Sequence, residues 1–152
     1  MATPIVVPDA SVLLKWILPS DNEPDADQAV RLRDAIVEEQ VRALVPALWL
    51  YEVGNTIARR FPMVAEQWLS VMMRFGLEEA RPSERWLTTA LHLTRAYGTT
   101  FYDAAYHATA LIHGGVLVTG DSRYLMLAKA EGALMSLSDW RAPASTTKRR
   151  GR

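Results

Sequence analysis

Residues 5–11 read IVVPDAS, a short β-branched run that passes through Pro8 and Asp9 into polar turn residues. β-Branched side chains favour buried strands, and Pro8 marks where pairing should stop because proline has no backbone N–H to donate. The residues after Asp9 carry the pattern of a helix start. This stretch therefore predicts a buried strand that ends at an acid and is followed directly by a helix.

Short apolar strands alternate with helical periodicity along the rest of the chain. Further strands are predicted at 43–45, near Leu77, at 116–119 and at 134–137, and further helices over 28–40, 46–60, 62–73, 84–97, 100–112 and 123–130. Strands that alternate with helices favour a parallel sheet with helices on both faces. We therefore predict an α/β protein, a three-layer α/β/α sandwich with a central, mainly parallel sheet.

Length and composition are typical of one globular domain. The chain has 152 residues, 49% of them hydrophobic, and no cysteine, which excludes disulfide scaffolds, Cys-based zinc sites and thiol catalysis. It shows neither the segments of a signal peptide nor an apolar run of the about 18–20 residues that cross a membrane. These features predict a cytoplasmic protein with no membrane partner.

The formal charge is zero because of the C-terminal tail. Basic and acidic residues number 17 each, and four of the bases lie at positions 148, 149, 150 and 152. Without these four, 13 bases stand against 17 acids, so the body of the chain is acidic. We predict a single domain over residues 1–141 and a basic, disordered tail over residues 142–152.

The predicted elements place four acids at one end of the sheet. Asp9 and Asp121 each follow a strand, Asp103 lies in the first turn of a helix, and Glu52 lies on the apolar face of another helix. Taken singly, each of the three aspartates can also be a helix cap or a turn residue. Glu52 needs a basic partner or a cation unless it reaches solvent at the edge of that face, because an unpaired buried charge is costly.

Convergence of these acids would require a cation, because like charges at close range repel strongly. Oxygen ligands without cysteine or paired histidines select a hard metal ion, so we expect Mg²⁺ or Mn²⁺. His107 lies four residues after Asp103 on the same predicted helix and is within reach of such a site. An ordinary position on the amphipathic face is the interpretation that we favour for His107.

Four stretches of the chain, in order, resemble the signature blocks of PIN-domain ribonucleases. Within that family they are most similar to the VapC-type toxins of type II toxin–antitoxin systems. The stretches are VVPDASVLLKW at 6–16, the helix over 46–59 with EVGN at 52–55, TFYDAAY at 100–106 and LVTGD at 117–121. The resemblance extends over roughly residues 4–138 and implies the PIN-like α/β/α fold.

The resemblance also implies a reaction and a set of site residues. The reaction is endonucleolytic cleavage of RNA by a metal-activated water. The acids implied to bind one or two Mg²⁺ or Mn²⁺ ions and to be catalytic are Asp9, Glu52, Asp103 and Asp121, and the residues implied to support them are Ser11, Asn55 and Thr119. The implied partner is a small cognate antitoxin whose C-terminal segment occupies the acidic groove. We also expect a homodimer whose interface includes the apolar region at 68–73.

Two other functions stay open from the sequence. A phosphatase of the haloacid dehalogenase kind also places an aspartate after its first strand, but it needs a second aspartate two residues later, where this chain has Ser11. A non-catalytic α/β module that binds a protein partner would use the aspartates as caps. Such a module would not need Glu52 on an apolar helix face.

Overall fold

The computed structural model describes residues 2–144 and shows strands and helices in alternation. Within these residues the strands are β1 (Ile5–Pro8), β2 (Arg42–Pro46), β3 (Glu78–Ala80), β4 (Val116–Thr119) and β5 (Leu134–Ser136). The helices are α1 (Ala10–Lys15), α2 (Ala26–Val37), α3 (Trp49–Arg60), α4 (Ala65–Phe75), α5 (Glu84–Tyr97), α6 (Phe101–His113) and α7 (Ser122–Ala128). Of the tail predicted over 142–152, residues 145–152 lie outside the described part.

The strands form one parallel sheet in the order β3-β2-β1-β4-β5. β1 is central and pairs with β2 on one side and with β4 on the other. The strand order changes direction between β1 and β4, which is where ligands bind in open parallel sheets, beyond the carboxyl ends of the strands. The predicted parallel sheet is confirmed, and Asp9 and Asp121 follow the two strands at this point.

Helices cover both faces of the sheet because successive strand residues point to opposite sides. In β1, Val7 belongs to a buried cluster that includes residues of α3, α6 and α7. The preceding residue, Val6, belongs to a second cluster on the other face, with residues of α2 and Trp140. A third cluster joins α5 to α6. The predicted three-layer α/β/α arrangement is therefore confirmed.

Helix ends with clear capping residues were predicted closely. Ser83 accepts a hydrogen bond from the backbone N–H of Trp86 and begins α5, and Gly98 ends that helix with a positive φ of 60°. Thr100 accepts from the N–H of Asp103 and begins α6. These caps satisfy backbone groups that a helix end leaves unpaired.

Two predicted helix starts at prolines are wrong. Pro46 is the last residue of β2, in register with Ala80, and α3 begins only at Trp49. Pro62 lies in a turn, and α4 begins at Ala65. Proline is tolerated both at a strand end and in the first turn of a helix, so local sequence does not distinguish these positions.

In the described part of the chain, no helix has the length and apolar character needed to cross a bilayer.

Candidate active site

Asp9 is held at the carboxyl end of β1 by hydroxyl and amide donors. Its Oδ1 accepts from the Ser11 hydroxyl at 2.5 Å and from the Val12 backbone N–H at 3.2 Å, while its Oδ2 accepts a short hydrogen bond from Thr119. Burial raises the pKa of the Asp9 carboxyl to about 6, against the lowering effect of these donors. The charge of Asp103 adds to the rise. Asp9 is therefore a helix cap and also a carboxyl group that is electrostatically coupled to a second acid.

Ser11 and Thr119 join the end of β1 to the end of β4. The Ser11 hydroxyl, while donating to Asp9, accepts from the backbone N–H of Gly120 at 3.0 Å. The Thr119 hydroxyl likewise donates to Asp9 and accepts from the backbone N–H of Asp121 at 3.0 Å. These two hydroxyls fix the orientation of the Asp9 carboxylate relative to the turn that carries Asp121.

Glu52 lies in the first turn of α3 with one carboxylate oxygen that has no partner. Its Oε1 is buried, and no hydrogen bond reaches it within residues 2–144. Burial, with smaller contributions from the charges of Asp103 and Asp9, raises the pKa of Glu52 to about 7. The side chain as a whole is only partly buried, so the alternative in which Glu52 reaches solvent at the edge of its helix face stays open for its other oxygen. The charges of Asp103 and Asp9 disfavour its charged form, and no donor among residues 2–144 binds Oε1.

Asp103 lies in the first turn of α6 and takes part in the same cluster. Its backbone N–H is bound by the Thr100 cap, and its Oδ2 accepts from the Thr99 hydroxyl at 3.3 Å. Its charge raises the pKa of both Asp9 and Glu52. The structure thus brings three of the four predicted acids into one region, which we call the acid cluster (Asp9, Glu52 and Asp103).

Tyr106 is a member of this region that the sequence did not single out. Its hydroxyl is buried and has no hydrogen-bond partner among the described residues, like the Oε1 of Glu52. Burial raises its pKa, and the charges of Glu52, Asp9 and Asp103 raise it further. An aromatic residue three positions after Asp103 lies on the same helix face, but a sequence gives no sign that its hydroxyl is unpaired.

Asp121 lies outside the acid cluster, in the turn before α7. Its Oδ1 accepts from the backbone N–H groups of Arg123 and Tyr124 at 3.0 and 3.1 Å, so it is a helix cap. The residue is exposed. Asp121 and Asp103 nevertheless line the same small cleft, of about 80 Å³, together with Arg123 and Tyr124. Asp121 therefore stands at the rim of the region that contains the other acids.

The two remaining predicted residues are placed differently from the acids. Asn55 lies on an exposed part of α3, and in the described structure its side chain makes no hydrogen bond to an acid. Its proposed orienting role stays a prediction. His107 is fully buried, with Nδ1 at 2.7 Å from the hydroxyl of Tyr124 and Nε2 at 2.8 Å from the carbonyl oxygen of Gly132. Both ring nitrogens are occupied, so His107 is not a metal ligand.

The donor chemistry of the acid cluster suits a hard divalent cation. Within residues 2–144 no three Asp, Glu or His side chains form a ready-made ligand group. However, a buried Glu52 oxygen without a donor lies near Asp9, and burial together with the charge of Asp103 raises the pKa of both Glu52 and Asp9. A divalent cation would bind the unpaired oxygen and would also offset the repulsion between the carboxylates. Oxygen-only donors favour Mg²⁺ or Mn²⁺. The residues therefore fit such an ion.

Comparisons with known proteins agree with this architecture. The family model of the PIN domain matches residues 6–130. Among solved structures, a toxin–antitoxin complex from Klebsiella pneumoniae aligns with a TM-score of 0.62 and 16% identity, over 87% of this chain and 97% of that chain. A comparison with curated protein sequences gives no match.

Two further solved structures are similar at the level of the fold. PAE2754 from Pyrobaculum aerophilum aligns with a TM-score of 0.63 and 23% identity, over 90% of this chain and 91% of that chain. FitAcB from Neisseria gonorrhoeae aligns with a TM-score of 0.64 and 15% identity, over 89% of this chain and 99% of that chain. At such identities these likenesses concern the fold alone.

Proposed function

The chain belongs to the PIN-domain family, and from that premise we propose that it is a metal-dependent endoribonuclease that acts as the toxin of a toxin–antitoxin pair. One observation carries the catalytic part of this proposal. The charge of Asp103 raises the pKa of both Asp9 and Glu52, and one buried oxygen of Glu52 has no hydrogen-bond donor among the described residues. A fold that needed these acids only as caps would not place Glu52 there.

We propose that the acid cluster holds the cation, with Asp121 contributing from the rim of the cleft. Ser11 and Thr119 would orient the Asp9 carboxylate through their hydrogen bonds. Bound Mg²⁺ or Mn²⁺ supplies an activated water and offsets negative charge at a phosphodiester. Asn55 remains the weakest member of the proposed set because its side chain is exposed and does not contact the acids.

RNA is proposed as the substrate from the resemblance to VapC-type toxins. One feature of the site supports a phosphate-bearing substrate: the exposed Arg123 lines the cleft that Asp103 and Asp121 also line. A guanidinium beside the acids can bind a phosphate group in a bidentate manner. We propose that Arg123 contacts the substrate backbone while the acid cluster holds the cation.

The proposed protein partner is a small antitoxin. Similar structures come from a toxin–antitoxin complex and from FitAcB, and the resemblance in sequence points to the same kind of pair. An antitoxin segment that occupies the cleft would keep RNA from the acids. We also propose a homodimer through the exposed apolar side chains of α4, and a cytoplasmic location.

A second candidate function is a non-catalytic module that binds a protein partner. It is favoured by one observation, the lack of a ready-made three-ligand group within the described residues. Such a module would bind its partner equally well with or without divalent cations. It would also leave RNA intact.

Cleavage of an RNA panel tests the proposed function. The protein is incubated with transfer, ribosomal and messenger RNA in Mg²⁺ or Mn²⁺, with EDTA and with the Asp9→Ala and Asp103→Asn variants. We expect metal-dependent fragments with 5′-phosphate ends and a loss of roughly 100-fold in either variant. Asp27→Asn, on the exposed side of α2, is the matched control and should cut like the wild type.

Cleavage that survives EDTA and both site variants would overturn the metal-dependent mechanism. Intact RNA across the whole panel would favour the binding module instead.

A further inference from the structure

His107 is a buried histidine whose two ring nitrogens have different partners. Nε2 lies 2.8 Å from the carbonyl oxygen of Gly132, which only accepts hydrogen bonds, so Nε2 carries the proton. Nδ1 is then the acceptor in the 2.7 Å hydrogen bond with the Tyr124 hydroxyl. Burial lowers the pKa of His107, which keeps the ring in this neutral form.

Tyr124 connects this histidine to the turn that carries Asp121. Its ring is buried and packs edge-on against His107 with the ring centroids 5.5 Å apart. Its backbone N–H donates to Asp121 Oδ1 at 3.1 Å, beside the N–H of Arg123. The side chain and the backbone of one residue therefore join the interior of α6 to the capping carboxylate of α7.

The loop that accepts the Nε2 hydrogen bond of His107 has contacts of its own with α5. Gly132 follows Glu131, whose carboxylate accepts from Tyr97 at 2.8 Å and lies 2.8 Å from the Nε2 of His92. Tyr97 and His92 both belong to α5. The loop that accepts the His107 hydrogen bond is thus fixed to α5, so His107 is not free to shift toward Tyr124 or away from it.

The two acids of the cleft are placed by the two helices that this contact joins. Asp103 lies one helical turn before His107 on α6, and Asp121 lies at the start of α7. Among the described residues, the bond between His107 and Tyr124 is the one side-chain hydrogen bond between these helices. It links α6, which carries Asp103, to α7, which Asp121 caps, while the Thr119 hydroxyl holds the turn of Asp121 from the side of β4.

We propose that His107 and Tyr124 form a positioning pair that sets the spacing of Asp103 and Asp121 for divalent cation binding. Tyr124 also lines the cleft, but the role assigned to the pair is to hold α7 against α6. This inference rests on the proposed metal-dependent function. It goes further in assigning metal affinity to residues outside the acidic quartet and its supporting residues.

The test compares Tyr124→Phe with Thr109→Val. Tyr124→Phe removes only the hydroxyl that donates to His107 and keeps the buried ring. Thr109→Val removes a buried hydroxyl from the same helix that instead accepts from Trp86 on α5, so it controls for a general loss of stability. Mn²⁺ affinity is measured by calorimetry, and amide hydrogen exchange is measured at Arg123 and Tyr124 without metal.

We expect Tyr124→Phe to weaken Mn²⁺ binding about fivefold, the factor that corresponds to one neutral hydrogen bond of about 1 kcal/mol. Exchange at the two amides should rise by a similar factor, and RNA cleavage should recover at saturating Mn²⁺. Thr109→Val should leave Mn²⁺ affinity and these amides within twofold of the wild type.

Unchanged exchange and unchanged Mn²⁺ affinity in Tyr124→Phe would overturn the inference. Equal losses in Tyr124→Phe and Thr109→Val would overturn it as well, because both would then reflect stability alone. If the wild type bound no Mn²⁺, the proposed function would fail, while faster exchange confined to Tyr124→Phe would still support the positioning of Asp121 by this pair.

Discussion

Glu52 shows a conflict between stability and function within one side chain. Its buried oxygen lacks a donor among the described residues, and burial together with two neighbouring acids raises its pKa to about 7, so its charged form destabilises the protein without a cation. The charged form of Asp9 is less destabilising because three donors reach its carboxylate. Its pKa is nevertheless raised to about 6. Functional acids often remain in proteins despite such a loss of stability, because their charge is needed when the ligand binds.

Glu52→Gln should therefore stabilise the protein in EDTA at pH 8. The pKa values of Glu52 and Asp9 lie above their usual 4.5 and 3.8, so their stabilising protonation is complete below about pH 4 and is lost as the pH rises through 6 to 7. We expect a gain on the order of 1–2 kcal/mol at pH 8 and almost none at pH 4. Urea unfolding at the two pH values measures it.

The exposed Glu66 of α4 provides the matched substitution for this prediction. Glu66→Gln should change the free energy of unfolding by less than about 0.5 kcal/mol at either pH. A Glu52→Gln protein that is less stable than the wild type at pH 8 would show that the carboxylate has a favourable partner after all.

The sequence predicted the positions of some site residues but not of others. Asp9 and Asp121 lie after the first and fourth strands, as predicted from two short apolar runs, but Asp121 lies outside the acid cluster that it was expected to join. Tyr106 was not predicted as a site residue, because an aromatic side chain on a helix face usually packs in the core. The sequence offered cap and site as alternatives for Asp9, whereas the carboxylate does both.

At the scale of elements, the close approach of β1 and β4 positions the site. Their register places Pro8 beside Val118, so Asp9 and the turn that carries Asp121 follow the ends of neighbouring strands. Gly115 precedes β4 at a crowded point of this contact: an added Cβ would lie 2.8 Å from Ile5 Cγ2 and 2.9 Å from the Ile5 carbonyl oxygen. The strands can approach this closely only because residue 115 has no side chain.

Gly115→Ala should accordingly destabilise the protein by about 1–3 kcal/mol, since the clash involves backbone that cannot rotate away. Gly54→Ala is the contrasting substitution, because Gly54 lies inside α3 and its added Cβ would meet Leu69 at 4.0 Å, an ordinary contact. It should stabilise by about 0.5–1 kcal/mol. Thermal unfolding of the two variants measures both effects, and a stabilising Gly115→Ala would contradict the described strand contact.

Elements with local signals were predicted better than elements that depend on distant partners. Ser83 and Gly98 bound α5 at the predicted residues because caps act within a few positions. A strand was predicted near Leu77, and β3 lies directly after it, but its bounds depend on pairing with β2, which a local pattern does not reveal. The helix start assigned to Pro46 was wrong because Pro46 pairs with β3 at the end of β2, whereas Pro62 lies in a turn, where proline is also tolerated.

The whole molecule combines an acidic cleft with exposed apolar side chains elsewhere. The four predicted site acids and the four tail bases cancel, and 13 acids and 13 bases remain in the rest of the chain. Overall neutrality is thus no argument against a nucleic-acid substrate, because a cation would have to offset the cleft before a phosphate enters it. On α4, Val71 and Met73 are 50% and 61% exposed, which agrees with the expected interface region.

Met73→Glu should dissociate the expected homodimer, because burying a carboxylate in an apolar interface is costly. Light scattering over a range of concentrations should show a dimer for the wild type and a monomer for this variant. Met126→Glu is the matched control, since Met126 is 82% exposed on α7. A wild-type monomer at all concentrations, or equal dissociation by both variants, would contradict an interface on α4.

The fold class could be predicted as a whole because strand and helix patterns alternate along most of the chain. The contact between His107 and Tyr124 could not be predicted, because two residues that are 17 positions apart on different helices meet only in the folded protein. The convergence of Glu52 on the aspartates was inferred from its apolar helix face. That the Oε1 of Glu52 has no hydrogen-bond donor among the described residues is visible only in the folded structure.

Calorimetric titration of Mn²⁺ into the protein at pH 7.5 tests most directly whether the acid cluster is a divalent cation site. We predict saturable binding with proton release, because carboxyl groups with raised pKa values must deprotonate to become ligands. Glu52→Gln should weaken the affinity by roughly 10-fold or more, and Glu66→Gln should leave it unchanged. Absence of saturable binding in the wild type, or equal affinity in Glu52→Gln, would contradict the account.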